Sequence, residues 1–394
     1  MNSTALFKRY LAQTSDFTPF IVDVERAEGV YIWDKSGKRY LDFTSGMCAN
    51  NLGNRHPNVL AAIENQLQKF SYTMVYGEFI QQPQVDFAER ICSLLPENLQ
   101  QVFYVNSGSE SIEGAIKLAR LNNHRAEIVS FKNSYHGSTL GAMSVIGDEN
   151  FRNPFRPIIP NTRLLEFNNV LQLSEITEQT CCVITEVIRS GAGMELPNLA
   201  FLEALRKRCD ETGAMLIFDE IQTGFGRTGK LFAFEHYHIF PDILCIAKSM
   251  GGGMPVGAFV SSIAYMDKLN NGHPLIGHAT TFGGHPVSCA AGLASLEIIA
   301  NPQFLENVNR NEQLIRRYFQ HPEIKEIRGK GQFLAVELNH PERIENVVGR
   351  CVNNGLLLFW LLFNHQSLAL TPPLIITEEQ IKEASDIFKT ALSE

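Results

Sequence analysis

The chain has 394 residues, 44% hydrophobic and 19% charged, enough to bury a sizeable core in one large and one smaller domain. Its formal net charge of −8 leaves no overall basic field for a phosphate backbone, so nucleic acid is not an expected partner. Residues 1–15 carry Lys8 and Arg9 without an apolar core, and the longest apolar run, residues 355–363, is too short to span a bilayer, so the expectation is a cytoplasmic protein with no membrane association.

Residues 29–43 alternate polar and apolar around Asp34-Lys35-Ser36-Gly37, a hairpin pattern. Apolar positions over 85–95 recur at helical spacing and stop at Pro96. Short apolar runs follow at 102–105, 128–131, 181–185, 215–218, 243–247 and 257–261, several separated by helical stretches such as 199–209. Short strands alternating with helices predict an α/β fold with a mainly parallel sheet. From about residue 282 the pattern changes to helices and a few strands. The run 356–363 reads either as a buried strand or as the lining of a greasy pocket.

The eight cysteines contain no Cys-x-x-Cys pair and several lie in apolar runs, which predicts buried free thiols. Gly224-Phe225-Gly226-Arg227-Thr228-Gly229 fits the dinucleotide pattern G-x-G-x-x-G, but no helix start and no ribose acid follow it. Glu235-His236-Tyr237-His238 has no further clustered ligands, and no metal is expected.

Four of the predicted strands run into a polar group that a buried sheet would not tolerate unless something lay beyond its edge. The run 102–105 meets Asn106-Ser107-Gly108-Ser109, 181–185 meets Glu186, 215–218 meets Asp219, and 243–247 meets Lys248. In open parallel sheets that carboxyl edge is where ligands bind. Ser107-Gly108-Ser109-Glu110 has the form of a capping box, and the helix terminus behind it suits a phosphate. Taken singly, a capping serine, a capping aspartate and a solvated lysine are the simpler readings. Together, an acid able to keep a ring nitrogen protonated and an amine able to form an imine are the pair that pyridoxal phosphate requires.

These residues resemble the class III aminotransferases of fold type I, the family of ornithine, acetylornithine and 4-aminobutyrate aminotransferases. The likeness runs from Gly29 to Pro373 and is strongest in VNSGSESIEGAIKLAR from Val105, SYHGSTLGA from Ser134, LIFDEIQTGFGRTGKLFAFEH from Leu216, PDILCIAKSMGGGMPVGA from Pro241 and TTFGGHPVSCAA from Thr280. The resemblance implies a large cofactor domain over 51–281 and a smaller α+β domain built from 1–50 and 282–394. It implies that Ser107, Gly108 and Ser109 hold the cofactor phosphate, that Tyr135 and Ile221 cover the two ring faces, and that Asp219 bonds the ring nitrogen. Gln222 would sit near the ring hydroxyl, with Glu186 and His136 in support and Lys248 as the Schiff-base lysine. Thr281 would reach the neighbouring subunit's site, implying a homodimer with shared active sites. The implied activity is ping-pong transamination between a small amine or amino acid and an oxo acid.

The substrate positions depart from that family. The arginine of its Ile-Arg-Phe-Ala-Pro-Pro segment is Ala369, the glutamate and glutamine of its Glu-Pro-x-Gln-Gly-Glu segment are Gly191 and Arg189, and the arginine of its Phe-His-Gly-Arg-Thr is Ser138. The aromatic hydroxyl near the N-terminus is replaced by Phe17. Arg189 is therefore a candidate reader of a substrate carboxylate, with Phe17 beside the substrate and an ω- or β-amino acid as the expected donor; the alternative for Arg189 is a structural ion pair. The same cofactor site also supports an aminomutase or an amino-acid racemase, and a non-catalytic cofactor-binding protein is a further alternative.

Overall fold

The computed structural model describes residues 3–12, 22–269 and 278–393. An N-terminal meander of β1 (Val24–Glu28), β2 (Tyr31–Asp34) and β3 (Arg39–Asp42) forms where the alternating pattern places it, with the Asp34 carboxylate capping the turn through Ser36 and Lys38 N–H groups. The central sheet comprises β4 (Gln101–Val105), β5 (Glu127–Phe131), β6 (Thr162–Leu165), β7 (Thr180–Glu186), β8 (Met215–Asp219), β9 (Ile243–Ile246) and β10 (Gly257–Ser261). Its strand order is β4-β10-β9-β8-β7-β5-β6. The β6-β5-β7-β8-β9 pairings are parallel, whereas β10 runs antiparallel to both β9 and β4.

The middle strands are buried along their whole length because helices cover both faces, which is why their sequences are continuous apolar runs. Successive side chains alternate between two cores. Val183, Leu216, Phe218, Leu244 and Ile246 enter one, and Cys182, Ile184, Met215, Ile217 and Cys245 enter the other. The cysteines are free thiols, all of them buried except the partly exposed Cys92.

The C-terminal part adds β11 (Ile324–Lys330), β12 (Phe333–Leu338), β13 (Leu356–Leu357), β14 (Phe359–Trp360) and β15 (Ser367–Leu370). Strand β13 joins the N-terminal meander beside β3, so chain ends more than 300 residues apart share one sheet and one core with β12, β15 and the helix Glu378–Ser393. The helix Pro286–Ile299 buries Cys289, Ala291, Leu296 and Ile299 in the core of the large sheet, whereas Ile315 on the following helix enters the core shared with Val30, Leu41 and Phe43 of the N-terminal meander. The apolar run 356–363 is split: Leu356 to Leu358 are buried, β14 is half-buried, and Leu362 is exposed.

Arg227 joins these parts. Its side chain is fully buried and donates to Gln332 O (3.1 Å), Pro372 O (2.6 Å), Ser45 Oγ (3.0 Å) and Asn51 Oδ1. Around it, residues 45–48 form a left-handed turn in which Ser45, Met47 and Cys48 all have positive φ, a conformation that costs L-residues about 1 kcal/mol or more each. The turn is fixed by Asp42, whose Oδ1 accepts from Thr44 N and Ser45 N, and by the Ser45 hydroxyl donating to Thr371 O.

Candidate active site

The polar ends of β4, β7, β8 and β9 converge at one edge of the central sheet. With the loop after β5 they enclose a cavity of about 210 Å³ lined by Ser107, Gly108, Ser109, Tyr135, His136, Gly137, Glu186, Asp219, Ile221, Gln222, Thr223 and Lys248.

After β4 the chain turns at Ser107, which is the N-cap of the helix Gly108–Asn123, with its Oγ accepting from Glu110 N at 3.2 Å. The expected capping box is displaced by one residue, since the Glu110 carboxylate returns to Asn106 N (2.6 Å) and Asn106 Nδ2 (3.0 Å). This holds the start of a four-turn helix, with its positive dipole end, against the cavity.

Three loops approach here closely because two positions are glycine. A Cβ on Gly108 would lie 2.9 Å from the Ile221 side chain, and one on Gly137 would lie 2.2 Å from Ser109 Oγ. Gly137 also has φ +133°, which L-residues rarely adopt. Ser109 Oγ in turn accepts from Ser138 N at 3.1 Å, and the Tyr135 and Ser138 hydroxyls are 2.7 Å apart.

Asp219, the last residue of β8, is buried and doubly held: Oδ1 accepts from Ile221 N (3.0 Å) and Oδ2 lies 2.7 Å from His136 Nδ1. An ionised carboxylate has no proton to give, so Nδ1 carries the hydrogen of that bond. Glu186 ends the neighbouring β7, with Oε1 accepting from Tyr135 N (3.2 Å) and Oε2 from Ser190 N (2.8 Å) and Oγ (2.7 Å). Burial pushes the Glu186 carboxyl above the usual carboxylate range, with the nearby Asp219 charge adding to the effect. Lys248 follows β9 and lines the cavity with φ +51°, a strained backbone of the kind that gathers at functional sites.

The residues fit pyridoxal phosphate. A helix terminus with two serines, a buried carboxylate and a lysine all line one cavity, and the two glycines remove the Cβ atoms that would otherwise crowd its loops.

Residues 12–392 match the family Aminotransferase class-III. The acetylornithine aminotransferase of Caldanaerobacter subterraneus subsp. tengcongensis is 37% identical, with 98% of each chain covered. The ornithine aminotransferase of Toxoplasma gondii ME49 superposes with a TM-score of 0.89 at 28% identity, covering 99% of this chain and 94% of that one. An amine transaminase from an uncultivated Pseudomonas species, solved in its PLP-bound form, gives 0.88 at 26%, covering 98% of both chains. This chain therefore belongs to the class-III aminotransferases, and its cofactor is pyridoxal phosphate. It is an enzyme of PLP-dependent transamination.

Not every residue singled out in the sequence reaches the cavity. Arg189 is buried elsewhere: its guanidinium bonds Glu195 Oε2 and Lys132 O and lies 4.2 Å from the centre of the Phe167 ring, which matches the ion-pair alternative. Phe17 lies outside the described residues. Thr281 is also away from the cavity, with its carbonyl accepting from Tyr72 OH (2.5 Å) and its Oγ1 3.3 Å from Tyr76 OH. His236 is tied to Thr228, and burial pushes its imidazole down to about 4.

Gly137, Thr223, Ser190 and Cys48 were not foreseen. Cys48, in the left-handed turn, accepts from Gln222 Nε2 at 3.8 Å and so fixes that lining residue. Only Gly137 carried a sequence signal, as a glycine directly after Tyr135-His136. Gly137→Ala is expected to weaken binding of pyridoxal phosphate to the apoprotein by roughly 10- to 100-fold, the strain of a non-glycine residue at such a φ. Titration of the apoprotein followed by absorbance checks this, and an unchanged dissociation constant would show that the cradle does not depend on Gly137.

Proposed function

We propose that this cavity is the reaction site, and that the chain moves an amino group from a small amine or amino acid, ω- or β-amino compounds among them, to an oxo acid. The observation that carries the reading is the meeting of Lys248, Asp219 and the helix terminus in one cavity. When bound, pyridoxal phosphate supplies an aldehyde and a pyridinium ring that withdraws electrons.

Ser107 and Ser109 would hold the phosphate through their hydroxyls, with the N–H groups of Gly108 and Ser109 in the first turn of the helix. Asp219 keeps the ring nitrogen protonated, and the bonds from His136 and Ile221 fix the plane of its carboxylate. Tyr135 and Ile221 would cover the ring and Gln222 would bond its hydroxyl, while Glu186 anchors the backbone of Tyr135. Lys248 Nζ would hold the cofactor and would be the group that carries the proton at the substrate carbon. Arg189 has no place in this account, because its guanidinium is already engaged.

A homodimer completes the site in this reading. Thr281 is held at the surface by Tyr72 and Tyr76, next to exposed Phe282, and the same stretch exposes Phe79 and Ile80. An apolar face of this kind suits a second copy, which would receive Thr281 at its own phosphate position. The cytoplasm is the proposed location; none of the described helices is long and apolar enough to cross a membrane.

The test is spectroscopic. Adding amines singly to the holoenzyme should remove the absorption band of the bound cofactor, and one oxo acid should restore it while a free carbonyl product accumulates. A band untouched by every amine would overturn the reading. Isomerised or racemised product with no demand for an acceptor would favour an aminomutase or racemase instead.

A further inference from the structure

Two arginines share one carboxylate where the chain turns into β6, at the edge of the central sheet. Arg152 ends the short helix Glu149–Arg152 and keeps only 5% of its surface accessible. Its Nη2 donates to Thr162 Oγ1 at 2.8 Å, but its buried Nε has no hydrogen-bond partner among the described residues. The Glu149 Oε2 beside that Nε lies 3.7 Å away, beyond hydrogen-bond reach. Glu149 is turned instead to the second arginine, its Oε1 accepting from both Nε (2.8 Å) and Nη2 (2.6 Å) of Arg156. Burial holds the Arg152 guanidinium below the usual arginine range; Glu149 opposes this, and the Arg156 charge adds to it. Arg163, on β6 itself, shows the opposite balance, one arginine between Glu127 (2.8 Å) and Glu175 (3.1 Å).

Both Arg152 and Arg156 line a cavity of about 550 Å³, and no acidic residue is among its described lining. Asn161 and Thr162 add polar groups, while Ile158 and Ile159 add a half-buried apolar wall, held in place by Ile159 N donating to Ser144 Oγ at 2.8 Å. Strand β6 runs parallel to β5 with Thr162 opposite Ile128, so Asn161 and Thr162 stand at the amino edge of the sheet. Glu186 and Asp219 end β7 and β8 at the opposite, carboxyl edge. Guanidinium groups match the oxygens of phosphate in a fork, and a buried one with an orphaned N–H gains most from such a partner. A bare inorganic ion would leave the isoleucine wall uncovered.

We propose that this cavity binds a small organic phosphate, its head between Arg152 and Arg156 and its apolar body against Ile158 and Ile159. The site is separate from the catalytic cavity and does not depend on the reaction assigned there.

Phenyl phosphate, titrated into the holoenzyme in phosphate-free buffer and followed by calorimetry, tests it with the catalytic cavity already filled by its cofactor. Each chain is expected to bind a single molecule with a dissociation constant on the order of 1 mM or lower, and inorganic phosphate several-fold more weakly. Arg156→Ala should weaken binding of phenyl phosphate by at least about tenfold, and Glu149→Gln, which frees both guanidiniums, should tighten it by about the same factor. The two variants move affinity in opposite directions, which a general loss of structure would not do. No heat at concentrations well above the expected constant would overturn the proposal. Binding that both variants leave unchanged would place the ligand elsewhere and overturn it too, and inorganic phosphate bound as tightly as phenyl phosphate would overturn the assignment of an organic ligand.

Discussion

Lys248→Ala is expected to lower kcat by at least about 10³-fold while leaving the thermal midpoint of the apoprotein within a few degrees of the original. The loss should be large because no other amine is found among the described residues lining the cavity, so both roles proposed for Lys248, holding the cofactor and moving the proton, end together. The fold should survive because Lys248 is only partly buried and contributes to none of the three hydrophobic cores. Alanine inherits the same positive φ, so no new backbone strain enters. A small primary amine in the buffer should restore a measurable fraction of the proton-transfer rate. Single-turnover kinetics decide the matter, and a variant that keeps more than about a tenth of kcat would remove Lys248 from the chemistry.

Asp219→Asn carries the second large effect, expected at roughly 10²- to 10⁴-fold in kcat/KM with folding largely preserved. Asparagine keeps the shape and can still accept from Ile221 N, but it removes the negative charge proposed to hold the ring nitrogen protonated. It also presents an amide to His136 Nδ1, 2.7 Å from the present carboxylate oxygen. If that amide turns its NH₂ toward His136, the imidazole must give up its Nδ1 hydrogen and shift to the other tautomer. Asp219→Glu retains the charge on a longer arm and should recover part of the loss. The two variants separate charge from hydrogen bonding, and an Asp219→Asn enzyme within tenfold of the original would mean that the carboxylate is not the ring's counter-charge.

What the sequence could reveal followed from chemistry that a strand cannot conceal. Asp219 and Lys248 were visible because each ends a continuous apolar run, where an unpaired charge needs a reason. The parallel arrangement of β5, β7, β8 and β9 followed from the spacing of strands and helices, but the antiparallel course of β10 did not, since an apolar run has no direction. Strand β6, Thr162–Leu165, lies at the sheet edge, is only partly buried, and was missed for want of an apolar run.

Arg189 misled because its partner is local: Glu195 faces it across a short β-bridge, a pairing that spacing alone did not indicate. The left-handed turn at 45–48 was hidden for a different reason. Of its four residues only Gly46 favours that conformation, and the others are kept there by contacts with distant segments.

Those distant segments have a consequence for how the enzyme comes into being. The acceptors around Arg227 lie 182 positions before it, at Ser45, and 145 positions after it, at Pro372. During synthesis the sheet bearing Asp219 and Lys248 can assemble well before residue 372 has left the ribosome, but the turn that places Cys48 against Gln222 lacks its bond from Ser45 to Thr371, and Arg227 its bond to Pro372, until then. Closing a loop of that span comes late in folding, since the entropy of bringing its ends together must be met by contacts that the rest of the chain has already made. A nascent or clipped chain without its last two dozen residues would thus carry the catalytic pair on an unfinished floor, and competence would arrive only with the C-terminus.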